Sequence, residues 1–411
     1  MLNTITSCRS CQGETLLPVL ALGNLPLANA LLTKEQLGKE ELKFPLSLVF
    51  CSNCTLVQIL ETVPPHILFS NYFYFSSFSD TMLNHARLLV ERVIKERALD
   101  SQSFVIEIAS NDGYLLQFYK QQGVPVLGIE PAENVARVAE EERGVPTLVK
   151  FFDQTLAQGL AKEGKLADVI HANNVFAHVP DPNQFVAGLK ALLKPKGGIA
   201  IIEAPYLVDF IENREFDTIY HEHFSYYSLT AVSHLVERYG LVVADVERVD
   251  IHGGSLRYFI AHVGAEISGS VKQMLRNEAK IGVGDYVYYK IFAERVDELR
   301  ESLITLLKRL KKEGKKIVAY GASAKGSTLL NAFGIGKDLL DCVVDRSTVK
   351  QGHYTPGGHL PILLADKLVE LEADYVLLLT WNFKNEILAQ QSTYRAKGGQ
   401  FIVPIPQLEI C

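Results

Sequence analysis

The sequence lacks the features that mark membrane, secreted and nucleic-acid-binding proteins. No apolar run is long enough to cross a lipid bilayer, and the Met1 end shows no basic stretch followed by an apolar one. Basic residues are not in excess, because 41 Lys and Arg stand against 47 Asp and Glu, for a net charge of −6. This mild acidity gives no electrostatic footprint for nucleic acid. We therefore expect a cytoplasmic protein without a membrane or nucleic-acid partner.

Cysteine is also scarce, and four of the six cysteines come in two pairs of the same spacing. Cys8 and Cys11 form the first CxxC pair, and Cys51 and Cys54 form the second. Two such turns supply the four tetrahedral thiolate ligands that zinc prefers, and a full set leaves no coordination position open. Four unrelated buried thiols or a redox-active CxxC are the alternatives. We predict a structural zinc ion, because a unit of this size cannot rely on a large core.

Beyond the cysteine pairs the chain alternates between short apolar runs and helical patterns. Residues 103–119, SFVIEIASNDGYLLQFY, are typical of a buried strand, a turn and a helix, and the same order returns several times. Such alternation predicts parallel sheets with helices on both faces. Residues 285–313 show the pattern of one long amphipathic helix. The predicted fold class is α/β, with a zinc-binding domain at 1–70, a Rossmann-like central domain at 71–280 and a second Rossmann-like domain at 281–411.

The first of these turns carries acidic and small residues suited to a cofactor. Glu107 ends a strand, small residues lead to Gly113, and Glu130 ends the next strand, where an acidic group typically binds the ribose hydroxyls of an adenosine. A dinucleotide site would need G-x-G-x-x-G, which is missing, and a generic strand-to-helix turn explains the loop alone equally well. The loop is similar to the first motif of the class I S-adenosylmethionine (SAM) methyltransferases. The residues predicted to surround SAM here are Glu107, Ala109, Ser110, Asn111, Gly113, Glu130, Pro131 and Asn173.

The stretch IYHEHFSYYS places two of only eleven histidines around a glutamate. His223 can be a neutral base at cell pH, because an unperturbed imidazole has a pKa of about 6.5, and Glu222 can hold its ring in the required tautomer. Tyr220 and, from an earlier segment, Tyr74 are donors that can face a ketone oxygen. A solvated loop or a metal site is the alternative, since two histidines two residues apart on a strand share one face. A purely structural role for His221 is a separate alternative.

Several motifs follow one another in an order that resembles one family. After the four cysteines come NYFYFSS, EIASNDGYL, NNVFAHVPD, YHEHFSYYS, HGGSLRYF and YGASAKGSTLLN. This order resembles, over essentially the full length, the sugar C-methyltransferases that act on nucleotide-linked 4-keto-deoxyhexoses. The resemblance implies an N-terminal zinc-binding domain, a central SAM domain and a C-terminal α/β domain.

The same resemblance implies roles for individual residues. His223 is the base that generates an enolate on the sugar. The residues beside it in the pocket are Tyr220, Glu222 and His178. The NYFYFSS segment folds over SAM, although a linker with aromatic anchors is an equally good interpretation. Its residues that reach the amino-acid end of SAM are Tyr72, Ser76 and Ser77.

The C-terminal unit carries a second candidate ligand surface. The stretch YGASAKGSTLL nearly spells a P-loop, but Lys325 precedes the glycine that it should follow, which argues against a nucleotide triphosphatase. Backbone amides at the start of the next helix still suit a diphosphate, and Arg257 is suited to bidentate phosphate contact. A mere scaffold domain and a surface position for this arginine are the alternatives. The residues predicted to bind a nucleotide sugar are Arg257, Ser323, Lys325, Ser327, Trp381 and Asn382.

These observations lead to one functional prediction and two alternatives. We expect a SAM-dependent C-methyltransferase that methylates the carbon, C3, beside the 4-keto group of a nucleotide-diphosphate deoxysugar. A methyltransferase of the same architecture acting on another small metabolite is the second hypothesis, and a non-catalytic zinc-containing scaffold is the third. The identity of the sugar, the nucleobase and the oligomeric state, a monomer included, stay open.

Overall fold

The computed structural model describes residues 3–64, 67–68, 75–251 and 253–411. Tyr72 and Tyr74 lie outside the described residues, so their roles stay predictions. Within the described ranges the strands form a two-stranded and a four-stranded sheet near the N-terminus, a seven-stranded sheet in the middle and a six-stranded sheet near the C-terminus.

The N-terminal unit is built from five strands: β1 (Asn3–Thr4), β2 (Leu16–Pro26), β3 (Lys43–Cys51), β4 (Val57–Ile59) and β5 (Glu61–Thr62). β2, β3 and β4 are antiparallel neighbours, and β1 pairs with β5. A 3-10 turn spans Lys34–Gln36. The two CxxC pairs occupy equivalent turns, because Gln12 and Thr55 each follow a second cysteine and have left-handed φ values of 60° and 63°.

The central unit carries strands β6 (Val105–Ile108), β7 (Val126–Ile129), β8 (Thr147–Leu148), β9 (Val169–Asn173), β10 (Ile199–Pro205), β11 (Ser225–Tyr226), β12 (Leu241–Val249) and β13 (Ser255–His262). Its helices span Asp80–Arg97, Leu116–Gln121, Glu133–Arg143, Gln154–Lys162, Pro182–Leu192, Leu207–Glu212, Leu229–Glu237 and Gly269–Ile281. Its 3-10 turns span Ser76–Phe78, Phe176–His178 and Phe216–Thr218.

The central sheet has the order β12-β13-β10-β9-β6-β7-β8. β6 to β10 are parallel, and β13 is antiparallel to both of its neighbours. All four residues of β6 are buried, as expected for a parallel strand covered on both faces. Because the chain leaves β6 in one direction and returns to β9 on the other side, a crevice opens at their carboxyl ends, where open α/β sheets bind ligands.

β11 does not join the central sheet but extends the N-terminal one. Ser225 pairs with Gln58 and Tyr226 pairs with Val57, so the order of the four-stranded sheet is β11-β4-β3-β2. The strand that directly follows the histidine cluster is therefore an edge strand of the zinc-binding unit. The predicted division at residue 70 separates residues that share one sheet.

A 27-residue helix, Tyr286–Lys312, leads into the C-terminal unit and confirms the long helix predicted at 285–313. Its buried residues recur every three or four positions, which gives one continuous apolar stripe. They are Tyr289, Phe292, Val296, Leu299, Leu303, Leu307 and Leu310. This stripe shares one hydrophobic core with the four-stranded sheet and the C-terminal sheet.

The C-terminal unit has strands β14 (Ile317–Tyr320), β15 (Val343–Asp345), β16 (Ile362–Leu364), β17 (Tyr375–Leu378), β18 (Gln400–Val403) and β19 (Glu409–Ile410). Its helices span Ala324–Phe333, Lys384–Gln390 and Ser392–Ala396, and its 3-10 turns Ala365–Leu368 and Trp381–Phe383. The sheet order is β16-β15-β14-β17-β18-β19, parallel except for β19. A second switch point therefore lies between β14 and β17. Across the described ranges, every helix is too short or too polar to pass through a lipid bilayer.

Candidate active site

The four predicted zinc ligands converge in the N-terminal unit. The sulfur atoms of Cys8, Cys11, Cys51 and Cys54 all lie within 4.8 Å of one another, and Gln58 donates its Nε2–H to the Cys8 sulfur at 3.1 Å. Four converging thiols are the donor set of a structural zinc site. In the part of the chain that the structure describes, no other group of three or more His, Cys, Asp or Glu side chains is close enough to hold a metal ion.

The cofactor crevice lies where β6 and β9 diverge, and several of its buried polar atoms lack partners. Both carboxyl oxygens of Glu107, the hydroxyl of Ser110 and the side-chain oxygen of Asn173 find no hydrogen-bond partner among the described residues. Burial raises the pKa of Glu107 well above its ordinary value. Buried polar groups are normally satisfied. These atoms therefore fit a crevice that is completed by a polar ligand such as SAM.

The loop after β6 has an unusual backbone. Ala109, Asn111 and Gly113 are all left-handed, with φ values of 55°, 50° and 76°. A Cβ at Gly113 would lie 3.2 Å from side-chain carbons of Ala139 and Val145, so a side chain there would be both strained and crowded. The tight backbone brings the loop close to the crevice, as the sequence pattern predicts for a cofactor loop.

Glu130 joins this loop to the end of β7. Its two carboxyl oxygens accept hydrogen bonds from the backbone N–H groups of Asn111 and Ala132, each at 2.9 Å. Burial raises the pKa of Glu130 to about 7, although both hydrogen bonds favour the ionised form. Pro131 follows it, half-buried, at the rim. An acidic group at this strand end is typical of sites that bind ribose hydroxyls.

Ser76 and Ser77 reach the loop after β6 from the preceding segment, while their predicted contact with SAM stays a prediction. The backbone N–H of Ser76 donates to Asn111 Oδ1 at 2.9 Å, and the Ser77 hydroxyl donates to Asp112 Oδ2. Arg143 donates to the Ser77 hydroxyl at 2.7 Å. The sequence analysis missed Asp112 and Arg143. Asp112 stood inside the quoted motif as a signal, whereas nothing in the local pattern pointed to Arg143.

The histidine cluster brings two segments together. The Nδ1–H of His223 donates to the backbone carbonyl of Thr218 at 2.9 Å, and the Tyr220 hydroxyl lies 2.9 Å from Nε2. A carbonyl can only accept, so Nδ1 carries the proton and the lone pair of Nε2 accepts from the Tyr220 hydroxyl. The ring of His178 lies 4.6 Å from that of His223. Burial lowers the pKa of His178 to about 4, so this ring is neutral at cell pH.

Glu222 and His221 bond away from His223. The carboxyl of Glu222 accepts from Asn29 Nδ2 at 2.8 Å, and His221 donates from Nε2 to the carbonyl of Pro45 at 3.1 Å. The tautomer of His223 is thus held by Thr218 and not, as predicted, by Glu222. These residues form a turn, not a strand, so the two histidines bond to different elements, and among the described residues they belong to no metal-binding group. Burial raises the pKa of Glu222 to about 7.

A small cavity lined by residues of the central unit adjoins His223. Thr218, Tyr226 and Glu215 contribute to its walls. Burial raises the pKa of Glu215 to about 7, while the charge of Lys325 works in the opposite direction. Sequence reasoning missed Glu215, since it stands in a run of charged residues without a motif.

The predicted substrate-binding residues of the C-terminal unit either face the central unit or contact their own helix or turn. Lys325 and Trp381 face the central unit, with the ammonium nitrogen 4.4 Å from the centre of the indole ring. Ser323 caps the helix Ala324–Phe333 by accepting from the N–H of Gly326. Ser327 is buried and contacts Asn331 of its own helix, and Asn382 is half-buried on the 3-10 turn.

Arg257 does not lie where a phosphate could reach it. It is 4% exposed, donates from Nε and one terminal nitrogen to Glu203, and donates from the other to Glu247 at 2.7 Å. The prediction of a phosphate contact was wrong, because the glycines before Arg257 lead into β13, where β10 and β12 flank it with acidic residues.

Three family models match successive parts of the chain. Residues 8–69 match a zinc binding domain, residues 82–246 match a methyltransferase domain, and residues 250–406 match a C-methyltransferase C-terminal domain. Together they follow the order of the three units.

Individual proteins are similar over different lengths. C-methyltransferase NovU from Streptomyces niveus is 37% identical over 405 residues, which cover 98% of this chain and 96% of that protein. A ubiquinone biosynthesis O-methyltransferase from Methylobacterium sp. (strain 4-46) is 28% identical over 38% of this chain and 67% of its own length. The solved structure of magnesium protoporphyrin IX methyltransferase from Synechocystis PCC 6803 with bound SAH covers 44% of this chain and 83% of that one, at 14% identity and a TM-score of 0.35.

Proposed function

The chain belongs to the SAM-dependent C-methyltransferases, and we propose that its acceptor is the carbon, C3, beside the 4-keto group of a nucleotide-diphosphate deoxysugar. One observation carries this proposal. His223 keeps its lone pair at Nε2, where it accepts from the Tyr220 hydroxyl, and it lies next to a neutral histidine that follows a strand of the cofactor crevice. This arrangement supports removal of a proton from a carbon acid, which C-methylation of a ketosugar requires.

The proposed mechanism assigns one step to each group. Nε2 of His223 takes the proton from C3, and the electron pair of the C–H bond moves toward the 4-keto oxygen. The Tyr220 hydroxyl, which donates to Nε2 in the structure, exchanges this acceptor for the 4-keto oxygen when the sugar binds and donates to it as charge develops there. The Thr218 carbonyl stabilises the imidazolium through Nδ1–H, as an orienting acceptor does in other base pairs. When bound, SAM supplies an electrophilic methyl group to the carbon that has lost its proton.

Residues around the first crevice would hold SAM. Glu130 is placed for the ribose, and the left-handed loop with Asn111 and Gly113 allows close approach to the cofactor backbone. The unpartnered oxygens of Glu107 and Asn173 support a bound polar group there. Ser76 and Ser77, with Tyr72 outside the described residues, are proposed for the amino-acid end of SAM, and Tyr74 is proposed for the ketone oxygen.

The second switch point would hold the nucleotide end of the substrate. The helix Ala324–Phe333 has ten residues and starts at the end of β14, and amides at such a helix start suit a diphosphate. The Lys325 ammonium is buried and finds no hydrogen-bond partner among the described residues. Its unpartnered N–H groups support an anionic ligand, although the charges of Glu215 and Asp217 and the Trp381 ring already face this ammonium group. Ser323 and Asn382 are proposed as neighbouring contacts of that ligand, together with Trp381.

Two measurements test the proposal. Calorimetric titration with SAM and then with thymidine diphosphate should show binding of both. Binding of SAM without the nucleotide would favour a methyltransferase of another small metabolite, and binding of neither would favour a scaffold.

The base is tested separately from methyl transfer. With S-adenosylhomocysteine in place of SAM, a 4-keto nucleotide sugar in deuterated buffer should take up deuterium at C3. His223→Ala should slow this uptake by roughly 100-fold or more, whereas His221→Gln should leave it near the original rate because Gln can still donate to Pro45. Uptake at the full rate in His223→Ala excludes the proposed base.

A further inference from the structure

We propose that Arg9, inside the Cys8–Cys11 turn, is a positioning residue that joins the zinc site to both histidine segments of the active site. The catalytic part of this proposal rests on the proposed function, while its structural part does not. Nothing in the sequence pattern distinguishes this arginine from the other variable residues of a CxxC turn.

Arg9 is buried and its guanidinium spans two units. One terminal nitrogen donates to the carbonyls of Ile59 and Glu61, at 3.2 and 3.0 Å, and to the hydroxyl of Thr62 at 2.7 Å. The other donates to the carbonyl of Pro180 at 3.2 Å. Pro180 is two residues after His178, so the guanidinium fixes the chain that leaves this histidine.

The guanidinium also lies against the second histidine segment. Its central carbon is 5.0 Å from the centre of the Phe224 ring, and Phe224 directly follows His223. The backbone of Phe224 donates to the carbonyl of Ala177 at 2.7 Å and accepts from Ile59 at 3.1 Å. Pro180, Phe224 and the end of β4 thus all contact the side chain of Arg9, and Arg9 is 7% exposed.

The zinc cluster and the charges of two carboxylates, Glu61 and Asp181, together explain why a cation is tolerated there. Within the described residues, Arg9 forms no ion pair with a carboxylate, and its acceptors are neutral oxygens and a ring. A buried cation is costly without a compensating charge. Four thiolates around one Zn²⁺ carry a net charge of −2 next to Arg9 in the chain. The charge of the loaded cluster therefore favours the guanidinium in the position that holds both segments.

A merely structural arginine is available as a control. Arg238 donates to the carbonyl and hydroxyl of Ser10, at 2.8 and 2.7 Å, and so ties the same turn to the central unit. Its donor bonds go to Ser10, Asn183 and His234, none of which belongs to the segments at 176–180 and 220–224. A comparison of Arg9→Lys with Arg238→Lys therefore separates positioning from general docking.

The test compares ring signals of His178 and His223 by NMR of histidine-labelled, zinc-loaded protein. In Arg9→Lys we expect both signals to shift while zinc stoichiometry stays at one and the dissociation constant for SAM stays within about twofold. We also expect kcat to fall roughly 100-fold, since small misplacements of reacting groups are costly, with little change in KM. Arg238→Lys should leave all of these values unchanged.

The outcomes are separable. Unmoved histidine signals in Arg9→Lys, or equal shifts in Arg238→Lys, overturn the proposal whatever the activity. If the unsubstituted protein does not methylate the tested sugar, the proposed function fails and the NMR comparison still decides the role of Arg9.

A second variant covers the case in which Arg9→Lys gives no soluble protein. Thr62→Val preserves shape, removes one anchor of the guanidinium and touches neither histidine segment. We expect it to shift the same two signals by a smaller amount, and unchanged signals in Thr62→Val overturn the proposal.

Discussion

Trp381 of the C-terminal unit donates its indole N–H to Asp217 of the central unit at 2.7 Å. Asp217 is fully buried, and the next residue, Thr218, holds Nδ1 of His223 through its carbonyl. On the other side of the same 3-10 turn, the rings of Phe216 and Phe333 stack with centroids 4.5 Å apart. The C-terminal unit therefore contacts the residue next to Thr218, whose carbonyl holds the proposed base.

Replacing Trp381 by Phe should affect both stability and catalysis. The variant loses the bond to Asp217 and leaves a buried acceptor short of a partner, which costs about 1–3 kcal/mol in the free energy of unfolding. Because the turn at Thr218 loosens, kcat should fall while SAM affinity stays the same. Urea unfolding and steady-state kinetics check this. Tyr394→Phe, which removes a hydroxyl that the helix Ser392–Ala396 directs to the carbonyl of Gln400 in the same unit, should keep kcat. An unchanged kcat in Trp381→Phe contradicts the prediction.

Removal of zinc should disturb the active site before the central sheet unfolds. β11 pairs with β4, and Phe224 accepts a backbone hydrogen bond from Ile59 and donates one to Ala177. Loss of the zinc cluster should therefore weaken the contacts that hold the segment after His223. Hydrogen exchange of the zinc-free protein should show faster exchange at residues 224–226 but retained protection in β6. Cys11→Ser should reproduce this effect, and Cys411→Ser, outside the cluster, should not. Equal protection with and without zinc would count against the link.

Two glycines with the same backbone separate strain from crowding in the cofactor loop. Gly113 and Gly123 both have φ of 76°, but a Cβ at Gly123 meets nothing within 4 Å. Gly123→Ala should cost only the left-handed penalty of about 1–2 kcal/mol. Gly113→Ala should cost about 1–3 kcal/mol more and weaken SAM binding by roughly tenfold or more. Calorimetry and urea unfolding measure both quantities, and equal SAM affinities in the two variants would refute the packing argument.

The stability of the protein should depend on pH through Glu222. Burial raises its pKa to about 7 in the folded state, whereas an unfolded glutamate has a pKa of about 4.3. Between these values the folded state keeps a proton that the unfolded state has lost, so the free energy of unfolding falls as pH rises, by up to about 4 kcal/mol, and levels off above pH 7.

Glu222→Gln removes this dependence. Its free energy of unfolding should exceed that of the unsubstituted protein by an amount that grows from pH 5.5 to about 7 and then stays constant. Urea unfolding of zinc-loaded protein across this range gives the difference. Glu237→Gln, at an exposed position, serves as the matched control. A difference that is flat with pH in Glu222→Gln would show that the carboxyl is ionised throughout.

The local patterns were enough to identify the units and their chemistry. The spacing of Cys8, Cys11, Cys51 and Cys54 predicts a metal cluster because a CxxC turn by itself directs two thiols to one point. The strand and turn at β6 and the helix 285–313 follow from apolar periodicity, which is also a property of neighbouring residues.

Only the tertiary structure decided which groups hold the base and the loop. Arg257 carries a phosphate-like signal in the sequence, yet its place on β13 pairs it with Glu203 and Glu247 on adjacent strands. Thr218 acts on His223 through a backbone carbonyl, which has no residue-type signature.

The same holds for contacts across long distances in the chain. Arg9 and Pro180 are in contact although they are 171 positions apart in the sequence, and Trp381 and Asp217 are in contact at a separation of 164. Sequence spacing records which side chains a local turn or helix brings together, because that geometry is repeated along the backbone. Contacts between units depend on sheet register and on how cores pack, and these arise from the whole chain at once. The sequence by itself therefore determined the four cysteine ligands, the α/β folds and the reaction class, while the packing of the three units decided which residues position His223.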